Sequence, residues 1–148
     1  MKAYPLLFAL MILTIISGTS CVGTDQGTPV EYQYILRNES GVPVLIEVFQ
    51  ASSPEVSQTS ISLNDSGELI RNYTDRAPYS GYSFLSFFGG DSLRIVFNGE
   101  KNSFFSCTGI VENCRQERNP LNPIYSDSLN EEFIITPEDY QAAILVEQ

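Results

Sequence analysis

The amino-acid sequence predicts an all-β, mainly antiparallel domain, built as a β-sandwich or a partly open barrel of about seven to nine short strands. Apolar and polar residues alternate with a period of two in several short runs, which is typical of half-buried strands. Turn-forming sequences rich in Gly, Asn, Asp and Pro separate these runs. The one helix signal is short and lies near the C-terminus.

The first two predicted strands follow one another closely. Tyr32, Tyr34 and Leu36 alternate with polar residues, and Val44–Phe49 forms a second run. Apolar residues occupy both faces of this second run, which predicts a central position in a sheet. Residues 38–41 offer a turn between the two runs, so we expect an opening hairpin.

Two further strand pairs are predicted from turn chemistry. Residues 61–63 and 69–73 form short strands on either side of a turn that ends in Gly. Asn98-Gly99 is the strongest hairpin signal, because a type I′ turn needs positive φ at both central residues. The strand before that turn covers residues 93–97, and the strand that returns from it is expected at residues 104–107.

The C-terminal part combines a long loop with the helix signal. Residues 113–127 are mostly polar and contain two prolines, which indicates a loop. Residues 133–135 resume an extended run. Thr136 can cap a helix and Pro137 suits its first position, so a short helical turn is expected, followed by a last strand at residues 144–146.

The N-terminal residues have the anatomy of an export signal. Lys2 supplies the basic start, residues 6–16 are almost wholly apolar, and small residues lead to Cys21. With a cysteine at this point the segment resembles a bacterial lipoprotein signal, in which Cys21 becomes the lipidated first residue. Gly18 stands where Leu is usual, a looser form found in lipoproteins of the Bacteroidota type. An ordinary secretory signal is the alternative, because Gly18 and Ser20 also suit cleavage after small residues.

The resemblance to lipoproteins implies the domain organisation and the compartment. Residues 1–20 would be the cleaved signal peptide, residues 21–29 the lipidated cysteine with a flexible tether, and residues 30–148 a single β-rich domain. The resemblance implies the bacterial cell envelope, with a lipid such as palmitate anchoring the chain to the outer membrane. Whether the domain faces the periplasm or the cell surface is left open.

The chain has three cysteines, an odd number that needs explanation in an exported protein. If Cys21 carries lipid, Cys107 and Cys114 remain as a pair in an oxidising compartment, where we expect a disulfide bond. A redox-active or metal-binding pair is the alternative. The absence of a CxxC motif and of any histidine argues against that alternative.

Two segments of the body resemble small lipoproteins of Bacteroidota. They are residues 91–97 (DSLRIVF) and residues 133–140 (FIITPEDY), with an extended loop between them. The resemblance covers roughly a third of the chain. It implies a fold and a compartment, and no activity.

Composition and charge exclude several classes of function. The formal net charge is −10, and it becomes −11 when Lys2 leaves with the signal. A surface this acidic repels nucleic acids and anionic membranes, so the only membrane contact expected is through the lipid. Without histidine the chain lacks the usual catalytic base, and no calcium-binding loop with EF-hand spacing is present. We therefore expect no enzyme, no metal site and no cofactor.

The aromatic segment 79–88 is the candidate binding surface in the sequence. If it formed a strand, several aromatic rings would share one face and could stack on sugars or on a partner protein. The alternative, which the sequence favours, is that these rings fill the core. The candidate surface residues are Tyr79, Tyr82, Phe84 and Phe88.

These observations together favour a non-enzymatic, lipid-anchored binding or accessory module whose ligand is an envelope protein or a surface glycan. An alternative is a binder or inhibitor of a soluble target such as a hydrolase. In that case Cys107 and Cys114 would hold a rigid loop at residues 108–113. A third hypothesis, an enzyme that uses acidic residues such as Glu131 or Asp139, requires a deep cleft that a domain of this size has little room for.

Overall fold

The computed structural model describes residues 27–50, 56–107, 114–126 and 128–146, so the leader and Cys21 lie outside the described residues. Among these residues the chain forms eight strands, two short α-helices and one 3-10 helix, which confirms the predominantly β prediction. In chain order the elements are β1 Val30–Asn38, β2 Val44–Phe49, β3 Thr59–Leu63, β4 Glu68–Asp75, α1 Phe84–Phe88, β5 Ser92–Phe97, β6 Lys101–Ser106, a 3-10 helix Pro123–Ser126, β7 Asn130–Ile135, α2 Pro137–Ala142 and β8 Ile144–Leu145. No helix within the described ranges is long and apolar enough to cross a membrane.

The strands form two sheets. The three-stranded sheet has the order β4-β1-β7, and the five-stranded sheet has the order β3-β2-β5-β6-β8. Neighbouring strands are antiparallel except for β1 and β7, which are parallel. The buried side chains of both sheets join one hydrophobic cluster. Its members on β1 and β2 alternate with exposed or half-buried residues, as the period of two predicts.

The predicted opening hairpin is wrong, because β1 and β2 belong to different sheets. β1 pairs with β4 and β7, whereas β2 pairs with β3 and β5. The turn after β3 also passes from one sheet to the other. Alternation reveals which face of a strand is buried, but it carries no information about the neighbouring strand. The predicted central position of β2 is confirmed, since it lies between β3 and β5.

The Asn98-Gly99 hairpin is confirmed. Asn98 has φ 50° and Gly99 has φ 73°, as a type I′ turn requires. The Glu100 amide donates to the Phe97 carbonyl at 2.9 Å and closes the turn. The returning strand β6 starts at Lys101, three residues earlier than predicted, because polar residues continue the ladder close to the turn.

The aromatic segment is not a strand. Residues 79–83 are irregular, and Phe84–Phe88 forms α1. Phe84, Phe87 and Phe88 are 1%, 0% and 3% exposed, because the three- and four-residue spacing of a helix places them on one face. Three closely spaced rings therefore enter the core from a single turn and a half of helix. The period of two, which would have divided them between two faces, does not apply here.

Asn38, at the end of β1, is fully buried and connects the two sheets. Its side-chain amide donates to the carbonyls of Val42 at 2.8 Å and Asn64 at 2.9 Å. Its side-chain oxygen accepts from the Ser40 hydroxyl at 2.7 Å. Val42 precedes β2 and Asn64 follows β3, so one carboxamide joins both segments that cross between the sheets.

We expect Asn38→Ala to lower the free energy of unfolding by about 2–4 kcal/mol, because it leaves several buried polar groups without partners. Urea denaturation would measure the change. Asn72→Ala is the matched control, since the Asn72 side chain is exposed and bonds only Gln33. Equal losses in the two variants would contradict the role assigned to Asn38.

The C-terminal helix has the predicted start. Thr136 and Asp139 form a capping box, and the Thr136 amide donates to Asp139 at 2.8 Å. Arg118 reaches this cap from the preceding loop: its Nε donates to Asp139 at 2.9 Å, and its guanidinium lies over the Phe133 ring. The hydrogen bond to Asp139 raises the pKa of Arg118. A single carboxylate thus holds both the helix and the loop.

Tyr34 is a core residue with a titratable group. It is 0% exposed, and its hydroxyl donates to the Tyr82 carbonyl at 2.6 Å. Burial, assisted by the charge of Glu131, raises its pKa from 10.0 to about 12. The neutral phenol is therefore the form that the folded protein favours.

A pH dependence follows from the raised pKa of Tyr34. The stabilisation is complete below pH 10, the ordinary tyrosine pKa, and is lost as the pH rises towards about 12. A shift of this size corresponds to about 2–3 kcal/mol. We expect the unfolding free energy of the parent protein to fall more steeply over this range than that of Tyr34→Phe. Identical slopes in urea titrations would contradict the assignment.

Candidate binding surface

The structure separates the four aromatic candidates. Phe84 and Phe88 lie in the core, so they cannot form an exposed binding surface, which corrects the surface interpretation for these two residues. Tyr82 is half-buried and stacks on Tyr73 with ring centroids 4.5 Å apart. Tyr79 is 50% exposed, and its hydroxyl donates to the Thr28 carbonyl at 2.8 Å. The four residues therefore do not form one surface.

The predicted disulfide is present. Cys107 and Cys114 are joined with an S–S distance of 2.08 Å, at a sequence separation of seven. Cys107 directly follows β6, and Cys114 is 5% exposed. The bond therefore fixes the loop to the five-stranded sheet. Residues 108–113, the loop on which the inhibitor hypothesis rests, lie outside the described residues.

We expect the double change Cys107→Ala and Cys114→Ala to lower the unfolding free energy by about 2–3 kcal/mol, because the closed loop no longer restricts the unfolded chain. Denaturation with and without a reductant would measure it. The reductant should destabilise the parent protein and leave the double variant unchanged. A variant as stable as the oxidised parent would contradict this expectation.

The outer face of the three-stranded sheet is charged and internally paired. Arg37 lies at its centre, with nitrogen-to-oxygen distances of 3.0 Å to Glu132, 3.5 Å to Glu68 and 3.7 Å to Glu39. Ile70 is exposed beside these groups. Such half-exposed ion pairs contribute little stability, but they keep this face hydrated. The arrangement is that of a solvent-facing surface.

The outer face of the five-stranded sheet has a different character. One row of cross-strand neighbours runs over Ser62, Leu45, Val96, Asn102 and Ile144. This row holds no charged residue. Leu45 and Ile144 are 39% and 69% exposed, and Val96 between them is half-buried. A cavity of about 210 Å³ lies beside Leu45 and Val96. Exposed apolar residues that adjoin in a row are typical of an interaction surface.

A second row on the same face contains its one ion pair. Arg94 donates from Nε to Glu47 at 2.7 Å, and its guanidinium carbon lies 5.7 Å from the centroid of the Phe49 ring. Phe49 is buried at 6% exposure although it lies outside the core cluster. Phe104 packs against it with ring centroids 6.4 Å apart and is itself 61% exposed. The buried Phe49 ring thus supports the exposed Phe104 ring.

A groove of about 400 Å³ continues this face around the edge of β6. β8 covers only the first part of that edge, opposite Lys101 and Asn102. The groove opens beside Ile144, the first residue of β8. Its principal lining residues are Phe104, Phe105, Ala142, Ile144 and the paired Arg118 and Asp139. We call the five-stranded sheet sheet B, and the two rows together with this groove the sheet-B surface.

Sequence reasoning predicts only part of the sheet-B surface. Alternation places Leu45 and Phe49 on the second face of β2, and the structure confirms that they share its outer side. Phe104 is included in the predicted returning strand. The order β2-β5-β6 that brings these side chains together is a property of the sheet, and no local pattern signals it.

Two acidic residues of the C-terminal segment have structural partners. Glu132 pairs with Arg37, and Asp139 bonds Arg118 and the start of α2. Lys101 is half-buried, and its amine donates to the Tyr140 carbonyl at 3.2 Å. Among the described residues, no three His, Cys, Asp or Glu side chains are grouped to hold a metal ion. The sheet-B surface therefore stands as the candidate site.

Comparison with known proteins assigns neither a family nor a function. No family model matches the chain, and no curated protein and no solved structure matches it either. The geometry of the described residues is therefore the basis of the functional argument.

Proposed function

We propose that this protein is a non-enzymatic binding module of the bacterial cell envelope. It is held at the membrane by a lipid on Cys21 and binds a partner protein through the sheet-B surface. The observation that carries the proposal is the contrast between the two sheets. An acidic protein with a net charge of −10 keeps one sheet face charged and leaves the other nearly uncharged, with Leu45, Phe104 and Ile144 exposed.

The physical argument concerns the cost of that exposure. Apolar surface in water is unfavourable by about 25 cal/mol per Å², and adjoining apolar residues gain this energy when a partner covers them. The Phe104 ring packs against Phe49, which in turn lies beside the Arg94 guanidinium, and this contact reduces the conformational entropy that Phe104 loses when it binds. The positive charge of Arg94 is already balanced by the negative charge of Glu47 within the surface. A partner therefore needs no counter-charge to cover it.

The chain itself supports the anchoring half of the proposal, through the apolar leader and Cys21. We expect labelled palmitate to be incorporated into the parent protein in cells, and not into Cys21→Ser. The Cys107→Ala and Cys114→Ala double variant is the matched control and should still take up label. Label in Cys21→Ser would contradict lipidation at this residue.

Cross-linking in intact cells tests the binding half. A photo-reactive phenylalanine analogue at position 104 should give a discrete protein adduct, which mass spectrometry then identifies. The same analogue at position 70 is the control, because Ile70 is similarly exposed but lies on the charged sheet. The same adducts from both positions, or none from position 104, would contradict a protein-binding sheet-B surface. Adducts that consist of glycan would instead support the glycan-binding alternative.

A further inference from the structure

The edge of β6 is only partly covered. β8 has two residues, and both are largely exposed, at 69% for Ile144 and 73% for Leu145. They pair with Asn102 and Lys101, the first two residues of β6. β8 runs antiparallel to β6 and begins opposite Asn102, directly after α2. Within the described part of the chain, the second half of the β6 edge therefore has no strand beside it and faces the groove of about 400 Å³ that Asp139 and Ala142 of α2 also line.

The alternation of backbone hydrogen bonds along β6 shows which of its amide and carbonyl groups face this groove. The Cys107 amide donates to Asp91 on the β5 side, whereas the Glu100 carbonyl accepts from Val146 on the β8 side. Backbone groups of an antiparallel strand alternate between its two sides, so the even-numbered residues of β6 point away from β5. Asn102 is paired with β8, and the Ser106 carbonyl accepts from Asn119 at 3.2 Å.

Phe104 lies between these two occupied positions. Its amide and carbonyl point into the groove, and the described residues provide no hydrogen-bond partner for them on that side. One donor and one acceptor that point the same way match the backbone of a single residue in an extended chain. The exposed Phe104 ring supplies an apolar contact directly beside them.

From this arrangement, and resting on the proposed function, we propose that the partner contributes an extended peptide segment. It adds as a strand to β6, opposite Phe104, and continues the line that β8 begins. The residue opposite Phe104 exchanges two backbone hydrogen bonds with it. The side chain of this peptide residue packs beside the Phe104 ring. The side chains of the two adjacent peptide residues point to the other face, towards Phe105 and Ala142. This is recognition by β-strand addition.

Charge and geometry together select the occupant. The Arg118–Asp139 pair leaves the groove without net charge, within a protein that carries −10, so a segment with basic flanks is favoured over an acidic one. A second copy of this chain fits poorly. Symmetric pairing of two β6 strands about Phe104 would place Asn102 opposite Ser106 of the other copy, and both positions already carry bonds. Two copies would also repel each other electrostatically.

The test uses a defined probe: a capped heptapeptide of alternating valine and threonine with lysine at both ends. It is titrated into the isotope-labelled, detergent-solubilised full chain and followed by NMR. We expect shifts in the amides of residues 102–106 and 142–144, and slower hydrogen exchange of the Phe104 amide by at least about fivefold at saturation. The matched probe is the same peptide methylated on its central backbone nitrogens, and it should bind about tenfold to a hundredfold more weakly.

Variants of the protein test whether the peptide binds at the edge of β6. Phe104→Pro removes the donor, and β6 does not use that donor to pair with β5, so we expect loss of binding with an intact ladder. Phe104→Ala should bind more weakly but still show the slowed exchange at position 104, and Ile70→Ala should behave as the parent. If Phe104→Pro does not fold, the methylated peptide decides the question.

The outcomes separate this proposal from the proposed function. Equal binding of the two peptides would overturn strand addition while leaving side-chain recognition on the sheet-B surface intact. No effect of either peptide on the Phe104 amide at millimolar concentration would also overturn strand addition. If the photo-reactive analogue at position 104 still gives a protein adduct in cells, the proposed function survives that result. A missing adduct would remove both.

Discussion

The buried carboxamide of Asn38 is the constraint on which the arrangement of the two sheets depends. β1 and β2 are close in sequence yet lie in different sheets, and β3 and β4 repeat this relation. Each crossing leaves backbone carbonyls inside the protein, where an unpaired polar group costs about 1–3 kcal/mol. Asn38 satisfies carbonyls from both crossings at once. The core can close between the sheets because these polar groups are paired.

The closed core determines what remains for the surface. α1 places three phenylalanines in the core, whereas Tyr79 is half exposed and bonds Thr28, and Tyr82 is half-buried and stacks on Tyr73. Leu45, Phe104 and Ile144 stay exposed on the outside of the five-stranded sheet. Phe49, itself beside the Arg94 guanidinium, packs against the Phe104 ring there. Binding is therefore best supported on a rigid sheet rather than on a loop.

The edge of β6 is covered over only part of its length, and this affects both aggregation and binding. A long open edge invites uncontrolled pairing with other chains, and proteins usually protect it. Here β8 covers one end and Asn119 bonds the other, so the opening is limited to the position of Phe104. An opening this short supports selective pairing with a segment that fits the groove. The same short opening disfavours self-association.

The sequence by itself determined the strands, the Asn98-Gly99 hairpin, the capped helix at Thr136 and the disulfide, because each depends on local backbone preferences or on a cysteine pair. Export through the apolar leader and lipidation at Cys21 stay predictions, because these residues lie outside the described part of the chain. Tertiary structure alone decided that β1 and β2 separate, that segment 84–88 is helical, and that Phe104 lies beside an open edge. The reason is physical: alternation records burial, whereas strand partners depend on contacts between residues far apart in the chain.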